Sequence, residues 1–317
     1  MDDVPPRLTQ EQRAAHDLAR RREVLDLPSV PLRQHGRLLP PRDAGSPELG
    51  AVGIGPAGDA AAAWCDPAER DRFLVTLYGT SGGRPTTGFD AVFEGWPDFV
   101  QPLPGGRSLL VSGRARGDEA NAGTYGPAGE PEAGGHVGDA VAHVLATASG
   151  EVWVGYFDEA AALGEGLGGH GLVRFSPELE PVWRYPQAEL LPYIIDCYAL
   201  NVDGERVAIC AYDEWRLVTV EGDAATDRGE VPHDGAYGLL VAGDRAALIG
   251  GYGPEYDLVT PLRIGPDGTV RDGPASRLVL AGGDELAGYQ VVCRGADLHV
   301  LIRGEWYRTD LERLLAV

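Results

Sequence analysis

A chain of 317 residues with 48 acidic and 27 basic side chains carries a formal net charge of −21. That charge repels nucleic acid and anionic membranes as partners and favours cationic or neutral ligands, metal ions included. The sequence has no lysine, which removes Schiff-base chemistry, a Walker-type phosphate loop and a kinase-type lysine. No run approaches the roughly 18 apolar residues of a membrane span. The start Met1-Asp2-Asp3 lacks a basic-then-apolar leader, so the expectation is a cytoplasmic protein, and it is read separately as a monomer.

In chain order, Thr9-x-x-Gln12 reads as a capping box opening a helix that runs to about Leu25 and is ended by Pro28. His35–Pro40 follows as an isolated strand candidate. From there one pattern recurs: an apolar run, a glycine-containing turn, and a second apolar run. It stands as AVGIGPAGDAAAAWC, DFVQPLPGGRSLLVSG, AVAHVLATASGEVWVGYF, DCYALNVDGERVAICAY, AYGLLVAGDRAALIGGY and GYQVVCRGADLHVLIRG. The turn glycines Gly58, Gly106, Gly150, Gly204, Gly243 and Gly295 are 48, 44, 54, 39 and 52 residues apart.

Each copy reads as a hairpin of two buried strands. Third strands are expected at Phe73–Tyr78, Gly171–Phe175, Trp215–Val220 and Leu258–Ile264, and outer runs at Pro181–Tyr185 and Arg277–Leu280. Four strands per 40–50 residues is the size of a propeller blade. The reading is an all-β, six-bladed β-propeller over residues 47–317, preceded by a helix and a strand in residues 1–46. The sixth unit has room for three strands, so the N-terminal strand is expected to cover its outer edge. Residues 113–138, rich in Gly, Ala and Glu, read as a long flexible excursion within the second blade. Cys65, Cys197, Cys210 and Cys293 are widely spaced and read as reduced core thiols.

Two motifs lack the context their chemistry needs. Gly164–Gly169 matches the dinucleotide GxGxxG, but a strand follows it where a helix is required. Gly79–Gly83 matches GxSxG, but Arg84-Pro85 follows in place of the supporting helix. His143 and His299 fall inside strands and read as packed core residues.

The innermost strand of each blade lines a central channel, and ligand sites lie in such concavities. Acidic residues stand near the start of every inner strand: Glu48, Asp98, Asp139, Asp196, Asp234 and Glu285. The loops after the second strands add Tyr156, Asp158 and Glu159; Tyr212, Asp213, Glu214 and Trp215; Tyr252 and Glu255; and Arg303, Glu305 and Trp306. His136 and His233 lie in adjoining loops. The ligand-binding candidates are therefore Asp139, Tyr156, Asp158, Glu159, Asp196, Tyr212, Asp213, His233, Asp234, Tyr252 and Arg303. Hard oxygen ligands suit Ca²⁺ or Mg²⁺, for which Asp158, Asp196 and Asp234 are the candidates. The competing reading is that these aspartates cap turns.

The stretch WVGYFDE…GLVRF…PVWRY…IIDCYALNV, residues 152–202, resembles a family of bacterial six-bladed propeller-like proteins carrying WVGYFDEG, GLVRFD and DCYALNV. The resemblance implies the fold and singles out Asp158, Glu159, Asp196 and Asn201 without implying an activity. The chain departs from that pattern after Glu159, where Ala160-Ala161-Ala162 replaces a glycine-led loop. By architecture alone the chain is also similar to lactonase-type six-bladed hydrolases, which hold a divalent metal on Glu, Asn and Asp. Asn121 and Asn201 do not complete such a ligand set. Three functions stay open: a binding propeller for a small or peptide-like, preferably cationic ligand; a metal-dependent hydrolase or lactonase; and a protein-interaction scaffold.

Overall fold

A computed structural model describes residues 9–41, 47–66, 68–69, 71–162, 166–212, 214–265 and 268–316. Six sheets, antiparallel but for one edge pairing, surround one axis, and their inner strands are Glu48–Ile54, Phe99–Leu103, Val141–Ala146, Asp196–Asp203, Gly238–Ala242 and Gln290–Arg294. The six turn glycines of the repeat join first to second strands in every blade, with φ between 53° and 93°. Side chains with a Cβ rarely adopt that region, so the repeated glycine is what allows the tight turn. We call the end of the axis with these turns the lower face, and the end where the inner strands begin the upper face.

Arg33–Arg37 pairs antiparallel with Glu305–Asp310 and becomes the outer strand of blade six, closing the ring. The closing strand thus starts two residues before the expected His35. Ser29–Pro31 adds a second closure that the sequence did not suggest, running parallel to Ser276–Val279 at the edge of blade five. Pro31 lies in this strand, and an edge strand tolerates proline because it needs no N–H there. The GxSxG segment supports this closure. The Gly83 N–H donates to the Arg37 carbonyl at 2.7 Å, and His35 Nε2 lies 2.5 Å from the Thr80 carbonyl.

One expectation is corrected. Residues 113–138 are not a simple excursion, because they contain Ala122–Tyr125 and Pro131–Gly135, the third and fourth strands of blade two. Their Gly- and Ala-rich text hides them. Order comes instead from Asn121, whose Nδ2 donates to the Ser112 and Gly138 carbonyls and whose Oδ1 accepts from the Val137 N–H. Tyr125 anchors the same strands through its hydroxyl on the Val92 carbonyl at 2.6 Å.

Between blades the core is apolar, with Phe73, Trp153, Phe175 and Trp306 all buried. Inner strands pack closely. A Cβ at Gly53 would lie 1.7 Å from the Val100 carbonyl oxygen, so blades one and two require glycine there.

At the lower end of the axis the core becomes polar. Arg294 is almost wholly buried and reaches from blade six across the axis. Its Nε and Nη2 donate to the Ile54 carbonyl at 3.0 and 2.7 Å, its Nη1 to the Ala146 carbonyl at 2.6 Å, and its Nη2 to Gln101 Oε1 at 2.7 Å. Gln101 Oε1 also accepts from the Ala146 N–H at 3.4 Å. Asn201 of blade four donates to the Leu239 and Gly295 carbonyls at 2.7 and 2.8 Å and accepts from the Gly295 N–H at 2.9 Å. Gln101, Asn201 and Arg294 thereby touch every blade.

The helix Gln10–Leu25 opens with the expected capping box, Gln12 N–H to Thr9 Oγ1 at 3.3 Å and Thr9 N–H to Gln12 Oε1 at 2.9 Å. It docks through Arg21, which grips the fully buried Asp257 with two bonds of 2.6 and 2.9 Å and lies 4.4 Å from the Tyr256 ring centre. Arg277 approaches the same carboxylate at 3.3 Å, so its charge is compensated inside the protein.

Replacing Asn201 with Ala takes the side-chain partner from the buried Leu239 carbonyl and Gly295 amide, and leaves the Gly295 carbonyl with the Val241 N–H alone. Unfolding in urea should then show a loss of about 2–4 kcal/mol. A change below about 0.5 kcal/mol, the size typical of a neutral surface substitution, would mean that Asn201 does not fasten the ring.

Candidate functional site

The upper end of the axis opens into a cup of about 320 Å³ to which every blade contributes. Its polar lining is Gln101, His143, Tyr237 and Gln290, set among Val52, Phe99, Leu200 and Cys293. Gln101 and Cys293 lie next to Arg294, whose guanidinium spans the axis below them and donates to Gln101 Oε1. Burial pushes the Arg294 guanidinium down to about 9, with the Asp59 carboxylate acting the other way. Burial likewise lowers the His143 imidazole, whose Nε2 lies 3.3 Å from the Tyr198 carbonyl, and so favours its neutral form. Tyr237 is fixed by its hydroxyl on the Tyr256 carbonyl and by the Tyr289 hydroxyl at 2.6 Å. The cup wall is therefore tied to the Gly253–Glu255 turn and its neighbour Tyr256, on which the N-terminal helix docks.

A second cavity of about 600 Å³ lies between blades six and one, lined by Glu48, Leu49, Trp64, Tyr289, Leu301 and Arg303. It shares Val52 and Gln290 with the cup. Gln290 Nε2 donates to the Val52 carbonyl at 3.1 Å and forms part of the boundary between the two spaces. A further cavity of about 300 Å³ opens on the lower face between blades four and five. Two of its cations are engaged, Arg206 with Glu221 at 3.3 Å and Arg228 with Thr219 at 2.9 Å.

The candidates from the sequence separate into groups. Asp158 and Asp196 meet: the Asp196 carboxylate accepts the Asp158 backbone N–H, and burial together with the Asp158 charge raises the Asp196 carboxyl to about 6. Beside Asp196, Tyr198, Tyr212, Trp215 and Tyr252 form one aromatic cluster with centroids 4.6 to 5.9 Å apart. The Tyr198 and Tyr252 hydroxyls are 2.5 Å apart.

Asp139 and Glu159 share Arg114, at 3.1 and 2.5 Å, and Asp139 also accepts the Ala115 N–H at 2.9 Å. Asp98 does the same for the Gly113 N–H at 2.7 Å, so these aspartates cap loops as the competing reading holds. Tyr156 is fully buried with its hydroxyl on the Val137 carbonyl at 2.6 Å. His233 Nε2 faces the Gly250 carbonyl at 2.8 Å, and Asp234 beside it is exposed. Arg303 stands apart, in the cavity between blades six and one. Asp213 lies outside the described residues.

Among the described residues no three His, Cys, Asp or Glu side chains gather as a metal site. Of the expected metal ligands Asp158, Asp196 and Asp234, only the first two are in evident interaction.

The sequence did not single out Phe99, Gln101, Tyr237, Tyr289, Gln290 or Arg294. One signal was present: AYG and GYQ place a tyrosine at the start of the fifth and sixth copies, and Tyr237 and Tyr289 are the pair that meets at the mouth.

No family model and no curated relative matches the chain. Similar solved structures include Hsv2 of Kluyveromyces lactis, at 10% identity and TM-score 0.48, covering 81% of this chain and 72% of that one. BamB from Moraxella catarrhalis has 10% identity and TM-score 0.46, covering 88% and 94%. The β-propeller domain of Cps50 (Swd1) from Myceliophteria thermophila has 11% identity and TM-score 0.46, covering 82% of each. The fold stands on the strand pairing itself. No helix among the described residues is long and apolar enough to cross a membrane.

The Asp196 carboxyl, raised above the ordinary value near 4, fixes the sign of a pH effect. Below about 4 both folded and unfolded chains hold the proton. Between about 4 and about 6 the unfolded chain loses it first, so stability should fall as pH rises through that window. The Asp196→Asn variant should lack this component when unfolding is followed from pH 4 to pH 7. Parallel wild-type and variant profiles would show that Asp196 titrates normally.

Proposed function

We propose that the protein binds a small organic ligand in the axial cup, entering from the upper face. The observation that carries this reading is the cup itself. It lies above Arg294, shares Val52 and Gln290 with a second cavity, and is walled by apolar side chains with a few fixed polar groups, the composition of small-molecule sites. About 320 Å³ suits a compact molecule rather than an extended peptide.

The aromatic cluster on blades four and five supports a narrower role than a cation cage. Its rings already touch one another, leaving no gap for an ammonium between them, so the cluster forms a wall. A cationic group on the ligand would instead meet the Asp196 and Asp158 carboxylates at its edge. The same reading places the protein in a reducing compartment, the cytoplasm, where its four buried free thiols persist.

A thermal-shift screen of fragment-sized cations, anions and neutral compounds tests this. Ala142 lines the cup, and Ala142→Phe fills it without removing a hydrogen bond. Compounds that raise the wild-type Tm by a few degrees should leave the Ala142→Phe variant unshifted. Equal shifts in both proteins would place binding elsewhere and end the cup reading.

A further inference from the structure

The cavity between blades six and one holds two opposite charges that do not neutralise each other. Arg303 and Glu48 both line it and both are exposed, and neither has an ion-pair partner among the described residues. Four of the other acids near inner-strand starts are engaged, Asp98 and Asp139 by backbone N–H groups, Asp196 by that of Asp158, and Glu285 by Arg21 at 3.1 Å, while Asp234 is exposed and lines neither the cup nor this cavity.

Arg303 is also held at a strained position. With Gly304 it forms the two-residue turn between Asp297–Ile302 and Glu305–Asp310, with φ of 49° and 84°. Such a turn favours Asn, Asp or Gly at its first position, where a long side chain gains nothing locally. Strain tolerated at the rim of a cavity points to a role for the side chain there.

We propose that this cavity is a subsite for a zwitterion of the α-amino-acid class. The ligand carboxylate lies on the Arg303 guanidinium, its ammonium on the Glu48 carboxylate, and its apolar side chain against Leu49, Trp64 and Tyr289, pointing past Gln290 toward the cup. A guanidinium offers the planar fork that a carboxylate accepts. The net charge selects the class further. A plain acid enters against the field of a −21 chain, and a plain amine leaves Arg303 unused, whereas a zwitterion satisfies both groups and is neutral overall. The placement of the side chain rests on the cup reading; the charge assignment does not.

Calorimetric titration of the full chain decides the matter, with leucine and phenylalanine, their amides, and their deamino acids 4-methylpentanoate and 3-phenylpropionate as probes. On the wild type the amino acids should bind at least about ten-fold tighter than either single-charge analogue. Arg303→Gln should abolish the preference for acid over amide. Glu48→Gln should abolish the preference for amino over deamino compound. Both variants should melt as the wild type does. No binding of any probe, equal binding of all three types, or unchanged preferences in both variants would overturn the subsite. Binding that persists in Ala142→Phe with both preferences intact supports the subsite and counts against the cup. No preference among the three probe types on the wild type, with fragment binding in the cup retained, removes the subsite alone.

Discussion

Three buried polar side chains at the foot of the axis, Gln101, Asn201 and Arg294, join blades that strand pairing alone leaves as neighbours. Each blade buries its own apolar faces against the next, and that hydrophobic contact supplies most of the stability. It is non-directional, however, and does not fix how the inner strands meet. Hydrogen bonds in a buried site do fix this, because an unpaired carbonyl or guanidinium there is costly. Arg294 is the extreme case: its charge is taken up by carbonyl oxygens of Ile54 and Ala146 and by the Gln101 amide, with no hydrogen-bonded carboxylate.

That lock shapes the site as well as the fold. A guanidinium crosses the axis beneath the cup and holds Gln101, one of the cup's polar lining residues, in place. The upper face is where the chain varies most between blades. There the loops end in short helices, tight turns or the aromatic cluster, and one of them is held by the N-terminal helix through Arg21 and Asp257. Rigid below and varied above is the usual division between scaffold and recognition surface in a propeller. Acidic side chains at the mouth mostly serve this scaffold. Asp98 and Asp139 spend their oxygens on loop N–H groups, and only where that service is missing, as at Glu48, is a carboxylate left for another partner.

Much of the fold was legible because the glycine turns repeat and their conformational need is local. Six left-handed glycines at blade spacing leave few alternatives to six hairpins, and the missing outer strand of the last blade calls for the N-terminus. Blade two's outer strands were hidden because Ala122–Tyr125 and Pro131–Gly135 have little apolar alternation, and Asn121 orders them through three bonds that no local pattern announces. The site was legible only in outline. Position near an inner-strand start marks Asp139, Asp196 and Glu48 alike, and which of them is already hydrogen-bonded depends on loops from other blades. Arg294 read as an ordinary strand residue, since nothing in VVCRGAD says that its side chain crosses the axis.

Native-state hydrogen exchange at single-residue resolution tests the lock most directly. The Gly295 amide on Asn201 and the Ala146 amide on Gln101 lie on opposite blades, and neither depends on strand pairing alone. If the three side chains bind the ring into one unit, both amides exchange only through global opening and share one free energy, equal to that of unfolding in denaturant. If either exchanges by local opening while the blade interiors stay protected, the blades are held by apolar contact alone and the floor of the cup is not fixed.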